Sequence, residues 1–336
     1  MRDKIRGVNL GGWLVLEKWM KPELFDGTDA VDETTLSQQL SNEELKRRLE
    51  EHRSTFITEE DFAWIAETGL NTVRLPVPWW MFGDQPPYLG CAEWVRRAFQ
   101  WAEKYGLDVM LDLHCAPGCQ NGFDNGGIAG VMNWHRSEEN IQKTLDTLEH
   151  ICEFVKPFAS LASIQLLNEP HWDIPLEIVQ DFYRQGYILV RRHFSAERCT
   201  VVLHDSFRQD VWQEALTDGQ GIVMDAHFYQ FQDEYKGFTY FQHAKVTLEQ
   251  YRRRLHDLMR NHEAIVGEWS LGYPLDDVTA LKPYERDIAL RGFAANQLEV
   301  YEESRGWVFW SYKVTDSMKP WSMRACVENG WLPSHF

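Results

Sequence analysis

Short apolar runs alternate along this chain with longer segments of helical period. The runs Ile5 to Leu10, Thr72 to Pro76, Val109 to Leu113, Ile164 to Leu167, Thr200 to Leu203, Ile222 to Ala226, Ile265 to Val266 and Gly306 to Phe309 read as strands. Between them, Glu93 to Tyr105, Ile141 to Phe158, Ile178 to Phe194, Leu248 to Arg260 and Tyr284 to Glu302 carry helical spacing, and several end in glycine or a polar turn. Another helix opens at Thr58-Glu59-Glu60-Asp61: Thr58 can cap, Asp61 takes the capping-box position, and Phe62, Ile65 and Ala66 share one face. Eight strands alternating with helices predict an α/β chain of the (β/α)8 TIM barrel type, one domain over residues 1–336. A doubly wound open sheet is the alternative. It would place a glycine-rich phosphate loop after the first strand, where this chain has Asn9-Leu10-Gly11-Gly12-Trp13. Residues 27–57, polar and then charged, read as a surface excursion holding a short helix.

A barrel of this kind takes its chemistry from the carboxyl ends of its strands. Those ends are polar or aromatic here while the strand bodies are apolar: Arg74 after the second, His114 after the third, Asn168-Glu169 after the fourth, His204-Asp205 after the fifth, His227 and Tyr229 after the sixth, Glu268 after the seventh and Trp310 after the eighth. An apolar strand has no structural use for an acid at its tip. Two such acids, Glu169 and Glu268, point to paired carboxylates across one cleft, the requirement of glycoside hydrolysis. A salt-bridged glutamate at each strand end is the plainer alternative.

Composition narrows the partners. The net charge of −17 disfavours nucleic acid and anionic membranes, and no apolar run is long enough to span a bilayer. The amino-terminal segment Met1 to Gly7 has no apolar stretch of the signal-peptide kind, which fits a cytoplasmic protein or a trimmed mature form. The six cysteines show no disulfide framework. His114-Cys115 and Cys119 lack further ligands for a tetrahedral metal site, so neither metal nor cofactor is expected. The 15 tryptophans include several outside apolar runs, among them Trp13, Trp19, Trp79, Trp172 and Trp310, and fit flat faces that stack on sugar rings.

The chain resembles glycoside hydrolase family 5, in its exo-β-1,3-glucanase and β-glucosidase branch. The resemblance rests on the segments from Arg6 to Glu17, Thr58 to Phe62, Asn71 to Pro76, Asp112 to His114, Gln120 to Asn125 and Leu167 to Pro170, with the strand ends His227, Tyr229, Glu268 and Trp310. It implies a retaining barrel that releases glucose from the non-reducing ends of β-glucans, with Glu169 as general acid/base and Glu268 as nucleophile. It implies further that Asn168 binds the sugar 2-hydroxyl, that Trp310 floors the pocket, and that His114 and His227 bond hydroxyls or orient Glu169. Glu17, Asp124 and Asn125 would close the blind end of the pocket, and Phe123 and the region of Phe231 would clamp its entrance. Arg74 and Tyr229 are expected to face Glu268, leaving Glu169 with fewer donors and hence with the proton. Cys115 and Cys119 stand where small residues are usual, and Gln232 to Val246 does not align. An endo-β-1,4-glucanase or mannanase, a β-glucosidase for steryl or aryl glycosides, and a carbohydrate-binding barrel without catalysis remain the alternatives.

Overall fold

The computed structural model describes residues 4–272 and 281–336; Met1 to Asp3 of the amino-terminal segment discussed above lie outside the described residues. Eight parallel strands close into a barrel in chain order. They are β1 (Ile5–Asn9), β2 (Thr72–Pro78), β3 (Asp108–Cys115), β4 (Leu161–Gln165), β5 (Thr200–His204), β6 (Ile222–His227), β7 (Glu263–Glu268) and β8 (Gly306–Phe309). β1 pairs with both β2 and β8, which closes the ring. The predicted helices are present: α3 (Glu59–Glu67), α4 (Ala92–Tyr105), α5 (Glu138–Val155), α6 (Leu176–His193), Arg252–Met259 and Pro283–Tyr301. The expected helix from Leu248 begins instead as a wider π turn, Val246–Tyr251. No described helix is long and apolar enough to cross a membrane.

Strand alternation builds the barrel interior in layers. Ile5, Met110, Val202, Val223, Ile265 and Val308 form one apolar cluster. Two residues further along the same strands come Gly7, Asp112, His204, Asp225, Gly267 and Trp310, and after another two come Asn9, His114 and His227. The interior thus changes from apolar to polar toward the carboxyl end. Gly267 is required there, because a Cβ at that position would lie 2.2 Å from the Asp225 carboxylate.

Two boundaries differ from expectation. β4 ends at Gln165, so Asn168 and Glu169 stand in the turn beyond it. Glu169 has φ of 44°, a left-handed conformation closed to a strand residue. Residues 27–57 are not a loose excursion with one short helix. They carry α1 (Glu33–Gln39) and α2 (Asn42–Thr55), and bury a separate core of Leu16, Leu24, Phe25, Ala30, Leu36, Leu45 and Leu49. This unit braces the rim: Glu33 accepts from the Leu16 amide at 3.0 Å, Asp32 from the Ala129 amide at 2.8 Å, and Thr34 bonds the Gly127 carbonyl.

Candidate active site

β7 delivers Glu268 at its last residue, where the carboxylate meets two donors. Arg74 Nη1 donates to Oε1 at 2.8 Å and the Tyr229 hydroxyl donates to Oε2 at 2.8 Å. Arg74 is fully buried and every one of its nitrogens is engaged. Nε donates to Gln165 Oε1, Nη1 also to Asn9 Oδ1, and Nη2 to Asn168 Oδ1, each at 2.8 Å, while Asp112 Oδ2 lies 3.1 Å from Nη2. A guanidinium has donors only, so it fixes the Asn168 amide with its oxygen toward Arg74. The Asn168 Nδ2 is left buried and unpartnered.

Glu169 also has two donors. His227 Nδ1 lies 2.7 Å from Oε1 and Asn125 Nδ2 donates to Oε2 at 3.0 Å. The expectation that Glu169 would have fewer donors than Glu268 therefore fails; it overlooked Asn125, placed at the blind end of the pocket, and His227, whose partner was left open. The two residues differ in the kind of donor instead. His227 is gripped from both sides, since its Nε2 stands 3.2 Å from Asp225 Oδ2. Burial disfavours a charged ring, but Glu268 and Asp225 together hold the His227 pKa well above its ordinary value. Burial pushes Glu169 up, yet the bonds from His227 and Asn125 bring it below the usual range. Glu268 is raised by burial, against His227 and Arg74.

His227 Nδ1 also measures the gap between the two glutamates. It lies 2.7 Å from Glu169 Oε1 and 3.5 Å from Glu268 Oε2. The two oxygens can be no farther apart than those distances laid end to end. That bound on one oxygen pair accommodates the roughly 5–5.5 Å between carboxyl groups of retaining enzymes.

The other predicted residues gather around this pair. Trp310 stacks on His114, ring centroids 5.5 Å apart and planes within 6°. A Cβ at Gly11 would stand 2.6 Å from the Trp310 ring, so glycine leaves room for the indole. His114 Nδ1 bonds Asp112 Oδ2 at 2.5 Å, and its Nε2 is buried without a partner. Glu17 accepts from the Trp19 indole at 2.8 Å through Oε2, and its Oε1 has no partner. Burial and the nearby Asp124 raise the Glu17 pKa well above the ordinary range, with Glu268 and Glu169 close enough to add to the effect. Asp124 is itself raised by burial. Glu17, His114 and Asn168 thus hold buried polar atoms that a polyhydroxylated ligand would satisfy. Phe123 packs with His171 and Trp172 at centroid distances of 5.9 and 6.3 Å, and Trp172 meets Phe207 at 5.7 Å. Across the rim, Phe231 and Tyr229 pack on Trp321, and Trp19 does the same.

Several residues of the site were missed in the sequence. Asp112 and Asp225 each stand two residues before a site histidine, on the same strand face. An Asp-x-His pair repeated in two apolar strands was the available signal. Asn9 and Gln165, which hold Arg74, gave none. For cation binding, Glu169, His204 and His227 bring candidate ligand atoms within 4.8 Å of one another. Both His227 nitrogens already face carboxylates, and His204 Nδ1 accepts from the Ser206 amide, while His204 Nε2 makes no hydrogen bond and lies 3.9 Å from Asp205 Oδ1.

Comparison with known proteins agrees with this geometry. A family model described as cellulase (glycosyl hydrolase family 5) matches residues 32–315. The chain is 35% identical to a protein of Emericella nidulans named "Probable glucan 1,3-beta-glucosidase A", over 99% of this chain and 91% of that one. It is 35% identical to the glucan 1,3-beta-glucosidase of Blumeria graminis, over 98% and 87%. Among solved structures, rutinosidase from Aspergillus niger superposes with a TM-score of 0.85 at 19% identity, covering 98% of this chain and 97% of that one, a likeness of fold. A closed barrel with paired glutamates at its carboxyl end, matched by this family over most of its length, makes the chain a glycoside hydrolase and a member of glycosyl hydrolase family 5.

Proposed function

We propose that this enzyme is a retaining exo-β-glucosidase that removes glucose from the non-reducing ends of β-1,3-glucan. The observation that carries the reading is the single His227 nitrogen in reach of both Glu169 and Glu268. The linkage rests on the names of the relatives. The exo action rests on buried Glu17 and half-buried Asp124, which lie beside the glutamate pair.

Glu268, oriented by Arg74 and Tyr229, attacks the anomeric carbon. The bond to the leaving oxygen breaks, and Glu169 gives that oxygen a proton. Glu169 and His227 share this proton across 2.7 Å and titrate as a unit, so the acid form is reached when it sits on the carboxyl. Ester formation cancels the charge of Glu268. Glu169 then takes a proton from the water that attacks the anomeric carbon, the ester bond breaks to return the Glu268 carboxylate, and glucose departs with its configuration retained. In this reading the buried, unpartnered Asn168 Nδ2 bonds the 2-hydroxyl, His114 Nε2 and Glu17 Oε1 bond other hydroxyls, and Trp310 stacks under the ring. The substrate is a neutral saccharide, in keeping with an acidic protein that would repel nucleic acid.

Digestion of laminari-oligosaccharides, followed by chromatography and by NMR in the first minutes, tests the reading. Glucose alone, appearing first as the β-anomer, is the expected result. Early products of mixed length overturn the exo action, and α-glucose appearing first overturns retention.

A further inference from the structure

We propose that Asn121 is a positioning residue: it sets the amide of Asn125, and through it places a donor on Oε2 of Glu169. The inference rests on the acid/base role proposed above for Glu169 and goes beyond it.

A backbone N–H can only donate, which fixes the direction of one bond in this cluster. Phe123 N donates to Asn121 Oδ1 at 3.0 Å. The Asn121 side chain therefore turns its NH2 the other way, and Nδ2 donates to Asn125 Oδ1 at 2.9 Å. Asn125 must then turn its own NH2 toward Glu169, where Nδ2 donates to Oε2 at 3.0 Å. Two amide orientations, each ambiguous on its own, follow from one peptide N–H. The Cys119 thiol adds a second anchor, donating to Asn121 Oδ1 at 3.4 Å while its sulfur accepts from the Gly122 amide at 3.2 Å. The packing leaves no slack: a Cβ at Gly126 would lie 2.3 Å from Cys119 Sγ and 2.5 Å from Asn121 Oδ1. Asn121 is buried, and its side-chain hydrogen bonds go to Phe123, Cys119 and Asn125, so its influence on Glu169 passes through Asn125.

An isosteric change reverses the relay. Asn121→Asp keeps the oxygen that receives Phe123 N but presents a second oxygen to Asn125. The Asn125 amide then turns over to donate to it, and offers Oδ1 to Glu169. A carbonyl facing a carboxyl favours the protonated form, so the Glu169 pKa rises. Seven other groups face Glu169: His227 and Tyr229 from the β6 end, His204 from β5, Glu268 from β7, His114 from β3, and Glu17 and Asp124 from the loops after β1 and β3. All are present in every variant below, so they set a common baseline.

The test is the pH profile of kcat/KM on laminaribiose. Its basic limb marks loss of the protonated acid, and a raised pKa moves that limb to higher pH. Asn121→Asp is expected to move it up by about one pH unit. Asn121→Ala, which frees the Asn125 amide without adding charge, is expected to move it less and in the same direction; this variant carries the test if Asn121→Asp does not fold. In an Asn125→Ala background, Asn121→Asp keeps only the direct repulsion of its added charge, so a smaller shift is expected than where Asn125 is present. An equal shift in that background, or none in either single variant, overturns the relay. Survival of the limb in Glu169→Ala would instead overturn the acid role beneath it, and the two failures read differently.

Discussion

The tip of β7 and the turn after β4 each carry one glutamate to the same pocket, by opposite means. Glu268 ends a regular strand, and its carboxylate is held by a buried arginine and a phenol. Neither can take up a proton near neutral pH; the Tyr229 hydroxyl is pushed further up by burial and by Glu268 itself. Glu169 stands beyond its strand in a left-handed conformation and is held by a histidine and an amide. One of those partners titrates. A fixed cation and a phenol favour the ionised form of Glu268 against the burial that raises its pKa, whereas a titrating partner beside Glu169 suits the proposed donation and return of a proton. The number of hydrogen bonds is equal, so the two sites differ in the chemistry of their donors.

The largest effect is expected from Glu268→Ala. Without the nucleophile no glycosyl ester forms, and kcat should fall by about four orders of magnitude or more on every substrate. Glu169→Ala sharpens the contrast, because its loss should depend on the leaving group. Laminaribiose, a poor leaver, should lose about 10³-fold, and an activated dinitrophenyl β-glucoside far less in the first step. Equal losses on the two substrates would make the two glutamates alike and break the comparison. Next comes Arg74→Lys. An ammonium cannot reproduce the fork that spans Asn9, Gln165, Asn168 and Glu268. We expect a loss of about 10²-fold in kcat/KM, with the folded state retained in circular dichroism. A full loss of folding would assign Arg74 to stability instead.

The same contrast explains what could be read from the chain. Glu268 was legible because an apolar run leads straight to it. Glu169 was legible as a residue, but its strand ends earlier than the apolar run, since the run continues through Leu166 and Leu167 while the backbone leaves the ladder. The eight strands were visible because each is a short apolar segment. The unit at residues 27–57 was misjudged because its apolar positions are diluted by charge, and part of its core, Leu16, Leu24 and Phe25, comes from outside those limits. Arg74 was singled out as a strand-end residue but lies inside β2, and the partners that orient it come from β1, β3, the end of β4 and β7, with no local pattern connecting Asn9, Gln165 and Asn168. Orientation of the Asn125 amide was invisible for the same reason: it is decided by a peptide N–H brought close only by folding.

Tyr229→Phe should give the smallest effect and separates the two halves most finely. It removes one donor from the charged Glu268 and leaves Glu169 with both of its own. A hydrogen bond to a charged group is worth about 1.5–3 kcal/mol, so a loss of about 10- to 100-fold in kcat/KM is expected. The pH profile gives the sign. Loss of a donor to the ionised form raises the pKa of Glu268, already raised by burial. Activity requires that carboxylate ionised, so the acidic limb should move to higher pH. The basic limb, set by the Glu169–His227 pair, should stay where it is. Movement of the basic limb instead would mean that the phenol acts on the shared proton, and that the two carboxylates are not held independently.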